Sequence, residues 1–124
     1  AVCCTYGRFK CVERVMNCFL AQDYPNKELI IFNTDINSTY DPYSIKLISS
    51  DIIIENRNID SITQQPYTNV GAIRRDALML ANGDYVVTWD DDDIFLPHFM
   101  SQGIDHANSD RLIFLLVIHN RMNN

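Results

Sequence analysis

The sequence has 124 residues, 47% of them hydrophobic, enough for one domain with its own core. Ten Lys and Arg stand against 16 Asp and Glu, a formal charge of −6, and the run Asp90-Asp91-Asp92-Asp93 alone supplies four of those negative charges. That balance excludes a generally basic nucleic-acid surface and points to a local demand for cations.

Val2 to Thr5 reads as a short strand and Tyr6-Gly7-Arg8 as a turn. Val12, Val15, Met16, Phe19 and Leu20 then recur at helical spacing. The four cysteines, Cys3, Cys4, Cys11 and Cys18, all fall in this opening segment without a C-x-x-C spacing. Cys3 and Cys4 point to opposite faces of a strand, and Cys11 and Cys18 stand roughly 10 Å apart along a helix, so they are expected as reduced thiols in a cytoplasmic protein. No cationic leader with an apolar core opens the chain.

Tyr24-Pro25-Asn26 breaks the helix, and Glu28 to Phe32 (ELIIF) is a nearly continuous apolar strand of the kind buried on both faces. A polar, turn-rich stretch leads to a short helix at Ile45 to Ile48 and a third strand at Ile52 to Ile54. Asn56 to Thr68 is polar and irregular. Val70 to Ala81 carries Ile73, Ala77, Leu80 and Ala81 on one helical face, with Asn82-Gly83 as the expected left-handed stop. Tyr85 to Trp89 returns to strand, Pro97 opens a helix to about Ala107, and Leu112 to Ile118 (LIFLLVI) reads as a core strand. That apolar run is far shorter than the ~20 residues a membrane span requires.

Alternation of this kind predicts an α/β fold: one Rossmann-like domain over residues 1–124, with a mostly parallel sheet and helices on both faces. Ligands of such sheets bind outside the carboxyl ends of the strands. Three polar loops fall there, Thr5 to Arg8, Asn33 to Asp35 and Asp90 to Asp93. If the aspartate run continues in extended backbone, Asp90 and Asp92 face one way and Asp91 and Asp93 the other. The run is then either a solvated acidic turn, with Asp93 capping the next helix, or a site for Mg²⁺ or Mn²⁺ and a phosphate. Its place at the end of an apolar strand favours the second reading.

These residues resemble the nucleotide-sugar glycosyltransferases of family 2, which have the GT-A fold. Cys4 to Arg8 (CTYGR) stands where the family has P-T-Y-N-R, and Cys18 to Pro25 is similar to its S-x-L-x-Q-x-Y-P. Glu28 to Asp35 (ELIIFNTD) stands for E-I-I-V-V-D-D-G-S. Asn69, Gly71, Arg74 and the run Ala81 to Tyr85 follow the N-x-G, A-R-N and A-x-G-E-Y pattern, and YVVTWDDDDIFLP resembles its strand with D-x-D-D and a later proline. The resemblance covers residues 2 to about 100.

The resemblance implies an inverting transferase that moves a sugar from a nucleoside diphosphate, with UDP as the expected carrier, to a hydroxyl of a sugar, lipid or protein acceptor. Asp92 and Asp90 would hold the divalent cation in the D-x-D motif. Thr5, Tyr6, Arg8, Asn33, Asp35, Arg74, Asp90 and Asp91 would line the donor site. Asn33 departs from the family's usual aspartate at the base, where its carbonyl could still accept a hydrogen bond. No residue matches the family's catalytic base; Asp93, His98 and His119 carry no motif for it. The chain is therefore expected to be the donor-binding part of such an enzyme without its acceptor-binding portion, with self-association through an exposed apolar edge. A non-catalytic remnant that serves as a partner surface, and a sugar-phosphate nucleotidyltransferase, are the alternative readings.

Overall fold

A computed structural model describes residues 1–108 and 116–117. Three parallel strands form its centre: β1 (Val2–Thr5), β2 (Leu29–Asn33) and β3 (Ile52–Asn56), with Val2 opposite Ile30 and Leu29 opposite Ile52. The chain then leaves β3 and returns on the far side of β1. There Val2 N–H donates to Val87 O (2.9 Å) and Trp89 N–H donates to Val2 O (2.8 Å). A parallel bridge joins Val2 to Thr88. The spatial order is thus β3, β2, β1 and then the 85–89 segment, the Rossmann arrangement in which strand order reverses beside β1.

The segment predicted as a five-residue strand is regular only at β4 (Tyr85–Val86) and meets β1 at the single Val2–Thr88 bridge before the chain turns at Asp91-Asp92. On its other side β4 pairs antiparallel with β5 (Leu116–Val117). The remainder of the predicted strand at 112–118, and His119, lie outside the described residues.

Helices cover both faces, as the alternation predicts. Helix α1 (Phe9–Leu20) buries Val12, Val15, Met16 and Phe19 with Cys3, Leu29, Ile31 and Trp89, joined by Ile45 of α2 (Pro42–Ile48). The opposite face packs Val2, Ile30, Phe32 and Val86 against Ala77 of α3 (Val70–Leu78) and Ala81. Every residue of β2 is buried, which is why its sequence lacks the alternation of a half-exposed strand. Each fully buried Leu, Ile or Phe stabilises the fold by about 1.5–3 kcal/mol. Helix α4 (Phe99–Asn108) begins two residues later than Pro97 suggested. No helix of the described residues is long and apolar enough to cross a membrane.

The helix ends follow local chemistry. Asp41 caps α2 by accepting from Tyr43 N–H, and Asn69 caps α3 by accepting from Ala72 N–H (2.8 Å). Lys27 caps α1 from beyond its end, donating to the carbonyls of Phe19 (2.9 Å) and Gln22 (2.9 Å). The left-handed stop expected at Asn82-Gly83 is not used. Helix α3 ends at Leu78, Leu80 N–H and Ala81 N–H reach only three residues back, and the Glu28 carboxylate takes both Asn82 N–H (3.0 Å) and its side-chain amide (2.8 Å). Among the described residues only Gly7 and Gln64 have positive φ.

The irregular stretch between β3 and α3 is organised by one buried carboxylate. Asp76, 2% exposed, accepts from Ser61 N–H (3.0 Å), Ser61 Oγ (2.6 Å), Tyr67 O–H (2.5 Å) and Arg75 Nε (3.2 Å). Arg75 also pairs with Asp60. Burial raises the Asp76 pKa, but hydrogen bonds from Ser61, Tyr67 and Arg75 outweigh it and hold the carboxyl well below the usual range. Because the unfolded group titrates near ~4, this stabilisation is complete above that pH and is lost as pH falls through the lower folded value. Asp76→Asn is expected to destabilise the chain by about 3 kcal/mol at pH 7. Urea denaturation at pH 7 and pH 3 checks both points: the gap between wild type and variant narrows at the lower pH, and an equal gap at both would remove Asp76 as the acid-sensitive group.

Candidate functional site

Where strand order reverses, the loops after β1 and after the 85–89 segment meet. Gly7 makes the first loop possible, with φ of +64°. A Cβ there would also clash with the Asp35 carboxylate, so the loop is closed from the β2 side as well. Across the gap, Thr5 Oγ1 donates to Asp91 Oδ2 (2.8 Å) and Arg8 Nη1 lies 3.4 Å from Asp91 Oδ1. Asp91 is only 9% exposed.

The alternation expected of the four aspartates is corrected here. The backbone turns at Asp91-Asp92, with Asp93 N–H on Asp90 O (3.3 Å), so the side chains no longer follow a strand's period of two. Asp91 points inward, while Asp90, Asp92 and Asp93 are exposed with carboxylate oxygens within 4.8 Å of one another. At that separation each pair of charges repels by about 3 kcal/mol at an effective dielectric of 20. No Lys or Arg of the described residues forms an ion pair with any of the three. An aromatic group underlies the turn, with Trp89 and Phe95 stacked at 4.1 Å and Phe99 edge-on to both.

A cavity of about 240 Å³ opens beside the turn. Of the residues assigned to a donor site, Thr5, Tyr6, Arg8, Arg74, Asp90 and Asp91 line it, and Thr34, which had no assigned role, does too. Asp92 stands in the adjoining carboxylate cluster, and Asp93 joins it because of the turn. Cys4 also lines the cavity; burial pushes its thiol up to about 11 despite Arg74, which keeps it neutral. All four cysteines are free thiols.

Asn33 and Asp35 fall outside this wall. Asn33 is fully buried and accepts from Gly7 N–H (3.1 Å) and Asp35 N–H (3.1 Å). Its amide donates to Asp35 O (3.1 Å), Ser38 O (3.0 Å) and Asn56 Oδ1 (2.9 Å). These bonds occupy the amide within the chain, and through them Asn33, the last residue of β2, ties the loops after β1 and β2 to the end of β3. Asp35 is half-buried and accepts from Asn37 N–H (3.1 Å). The order of the strands brings three loops together, but the innermost side chain among them is a brace.

A larger cavity, about 450 Å³, lies at the amino ends of the strands and includes Tyr24, Lys27, Glu28 and Asp84. Lys27 and Glu28 are already committed to the ends of α1 and α3. It lies away from the converging loops.

The family model described as glycosyl transferase family 2 matches residues 1–123. A protein named for a colanic acid biosynthesis glycosyl transferase, WcaA of Escherichia coli (strain K12), is 29% identical over 102 residues, 82% of this chain and 35% of its own length. Crystal structures of S. aureus TarS superpose on 87% of the chain, with TM-scores of 0.63 for one structure and 0.65 for residues 1–349, at 20% and 17% identity. These cover 19% and 31% of the TarS chains. A third, TarS 1–349 in complex with UDP, gives 0.58 at 22% identity over 87% of this chain and 31% of that one. The chain thus spans about a third of the length of the curated relative it matches.

Two substitutions separate the brace from the wall. Asn33→Asp sets a carboxylate against three acceptor oxygens and is expected to cost about 3 kcal/mol or more. Gly7→Ala is expected to cost about 1–2 kcal/mol, part of which Asp35→Ser recovers by removing the clash and not the strain in φ. Thermal and urea denaturation of the single and double variants checks these; a neutral Asn33→Asp would mean that its amide is not the donor.

Proposed function

Because the chain belongs to glycosyl transferase family 2, we propose that its acidic turn and the adjoining cavity bind a nucleoside-diphosphate sugar with a divalent cation, for transfer of the sugar to an acceptor hydroxyl. The observation that carries this reading is the grouping of Asp90, Asp92 and Asp93 within 4.8 Å, exposed, beside a cavity that also presents Arg8 and Arg74. Hard carboxylate oxygens of that number suit Mg²⁺ or Mn²⁺, ions that complete their shell with water and substrate phosphate. Bound there, such an ion would supply charge neutralisation to a departing diphosphate.

The chain's own groups then divide the work. Asp92 and Asp90 act as cation ligands, with Asp93 beside them. Arg8 and Arg74 face the diphosphate, and Arg8 is oriented by Asp91, which also holds the Thr5 hydroxyl. Tyr6, 65% exposed at the mouth, offers a ring for a base to stack on, and Thr34 lies on the same wall. The reaction proposed is a single displacement with inversion, in which the acceptor oxygen attacks the anomeric carbon as its bond to the diphosphate breaks. No residue of this chain is assigned as the base for the acceptor proton. UDP as carrier is supported by the complex recorded for the fold neighbour TarS. A nucleotidyltransferase reading gains nothing from the geometry, since the loop after β1 carries Gly7 as its single glycine.

Calorimetric titration with UDP and GDP, with and without Mn²⁺, tests the proposal. UDP is expected to bind only with Mn²⁺, and Asp92→Asn to weaken that binding by about tenfold or more, with wild-type stability retained within ~0.5 kcal/mol. Metal-independent binding, or an Asp92→Asn variant that binds as wild type, would sink the site; no binding under any condition would favour a fold kept as a partner surface.

A further inference from the structure

We propose that Gln22 is a positioning residue for the acidic turn, acting from the end of α1 through the segment that follows the four aspartates. The inference rests on the cation and diphosphate reading of that turn. Gln22 is 5% exposed, at the centre of a motif whose Gln was assigned no role by its sequence. Its Nε2 donates to Leu96 O (2.7 Å) and to Cys18 O (3.2 Å), and its Oε1 accepts from Met100 N–H (2.9 Å). The next residue adds a main-chain bond, Asp23 N–H to Pro97 O (2.9 Å).

The carboxamide thus holds two points of one segment, and both bonds are to backbone. Met100 N–H is among the first-turn donors of α4 that have no partner within the helix. Leu96 O sits three residues beyond Asp93 and also accepts from Phe99 N–H (3.0 Å). Side chains do little of this anchoring: Ile94 and Leu96 are 68% and 71% exposed, and only Phe95 packs inward, on Trp89. The turn itself is held at Asp91 by Thr5 and Arg8, and the segment that follows it is fixed by the Phe95–Trp89 stack, Asp23 N–H and Gln22.

Three mutually repelling carboxylates spread when their backbone is free to do so. A brace at Leu96 limits that spread and holds them at ligand spacing. The side chain must present a donor and an acceptor together at full reach from α1. Glutamate would set a carboxylate against Leu96 O, methionine would offer neither bond, and asparagine is one carbon shorter.

The test uses the chain with Gln22→Met and Gln22→Glu, and Asp41→Ala as a control that removes the cap of α2, a carboxylate bonded to Tyr43 and Ser44 and not to residues 90–97. Each is titrated with Mn²⁺ and UDP, and amide hydrogen exchange is followed over residues 91–96. Both Gln22 variants are expected to bind Mn²⁺ and UDP about tenfold more weakly, with faster exchange in 91–96, whereas Asp41→Ala loses stability and changes neither. Wild-type affinity and exchange in a folded Gln22→Glu would overturn the proposal. Should wild type itself bind no Mn²⁺, the site reading fails, and exchange alone decides Gln22: faster exchange confined to 91–96 supports the brace, and unchanged exchange removes it.

Discussion

Two backbone hydrogen bonds, Val2 N–H to Val87 O and Trp89 N–H to Val2 O, decide where the acidic turn stands. They attach the returning segment to β1 on the side away from β2, so the loops leaving β1 and following Trp89 open into one crevice with no strand between them. Asp91 can then reach Thr5 and Arg8, more than 80 residues away in sequence. Without that attachment the four aspartates would be an acidic loop on an α/β surface.

The turn separates four identical residues into two kinds. Asp91 is taken inside and matched by a hydroxyl and a guanidinium, as a buried charge requires. Asp90, Asp92 and Asp93 remain outside, together and without cationic partners among the described residues. The unpaired carboxylates therefore keep full capacity for an external cation, and the chain's net negative charge is concentrated where the proposed function needs it.

The layered fold was legible because its determinants are local. Leu29 to Phe32 form an unbroken apolar run, and Val12, Val15, Met16 and Phe19 keep helical spacing whatever surrounds them. Alternation of such elements predicts a parallel sheet, and with it the carboxyl edge where Thr5, Arg8 and Asp90 stand. What escaped depends on partners distant in sequence. The stop after α3 is made by Glu28, 54 residues earlier than Asn82, so Asn82-Gly83 need not adopt the left-handed conformation that their composition suggests. The bonds of Asn33 to Gly7 and Asn56 depend in the same way on residues that only the fold brings to it. Asp93 was assigned to the wrong face because a period of two holds only in extended backbone, and a single turn at Asp91-Asp92 moved it beside Asp90.

Asn33 and Gln22 show why the braces of this region are amides. Each is buried and binds backbone N–H and C=O groups together, which a carboxylate cannot do without facing an acceptor, nor an ammonium without facing a donor. A charged brace at either position would also add its field to the proposed cation site at the three exposed carboxylates. Neutral side chains fix the backbone, and the exposed charges are left for the proposed ligand. Under the proposed function this division would make the repulsion within the turn a source of cation affinity: carboxylates prevented from separating would regain, on binding a cation, the energy that their confinement costs the free chain. Since such an ion would bind the folded arrangement and not the unfolded chain, the same confinement couples cation binding to the stability of the crevice.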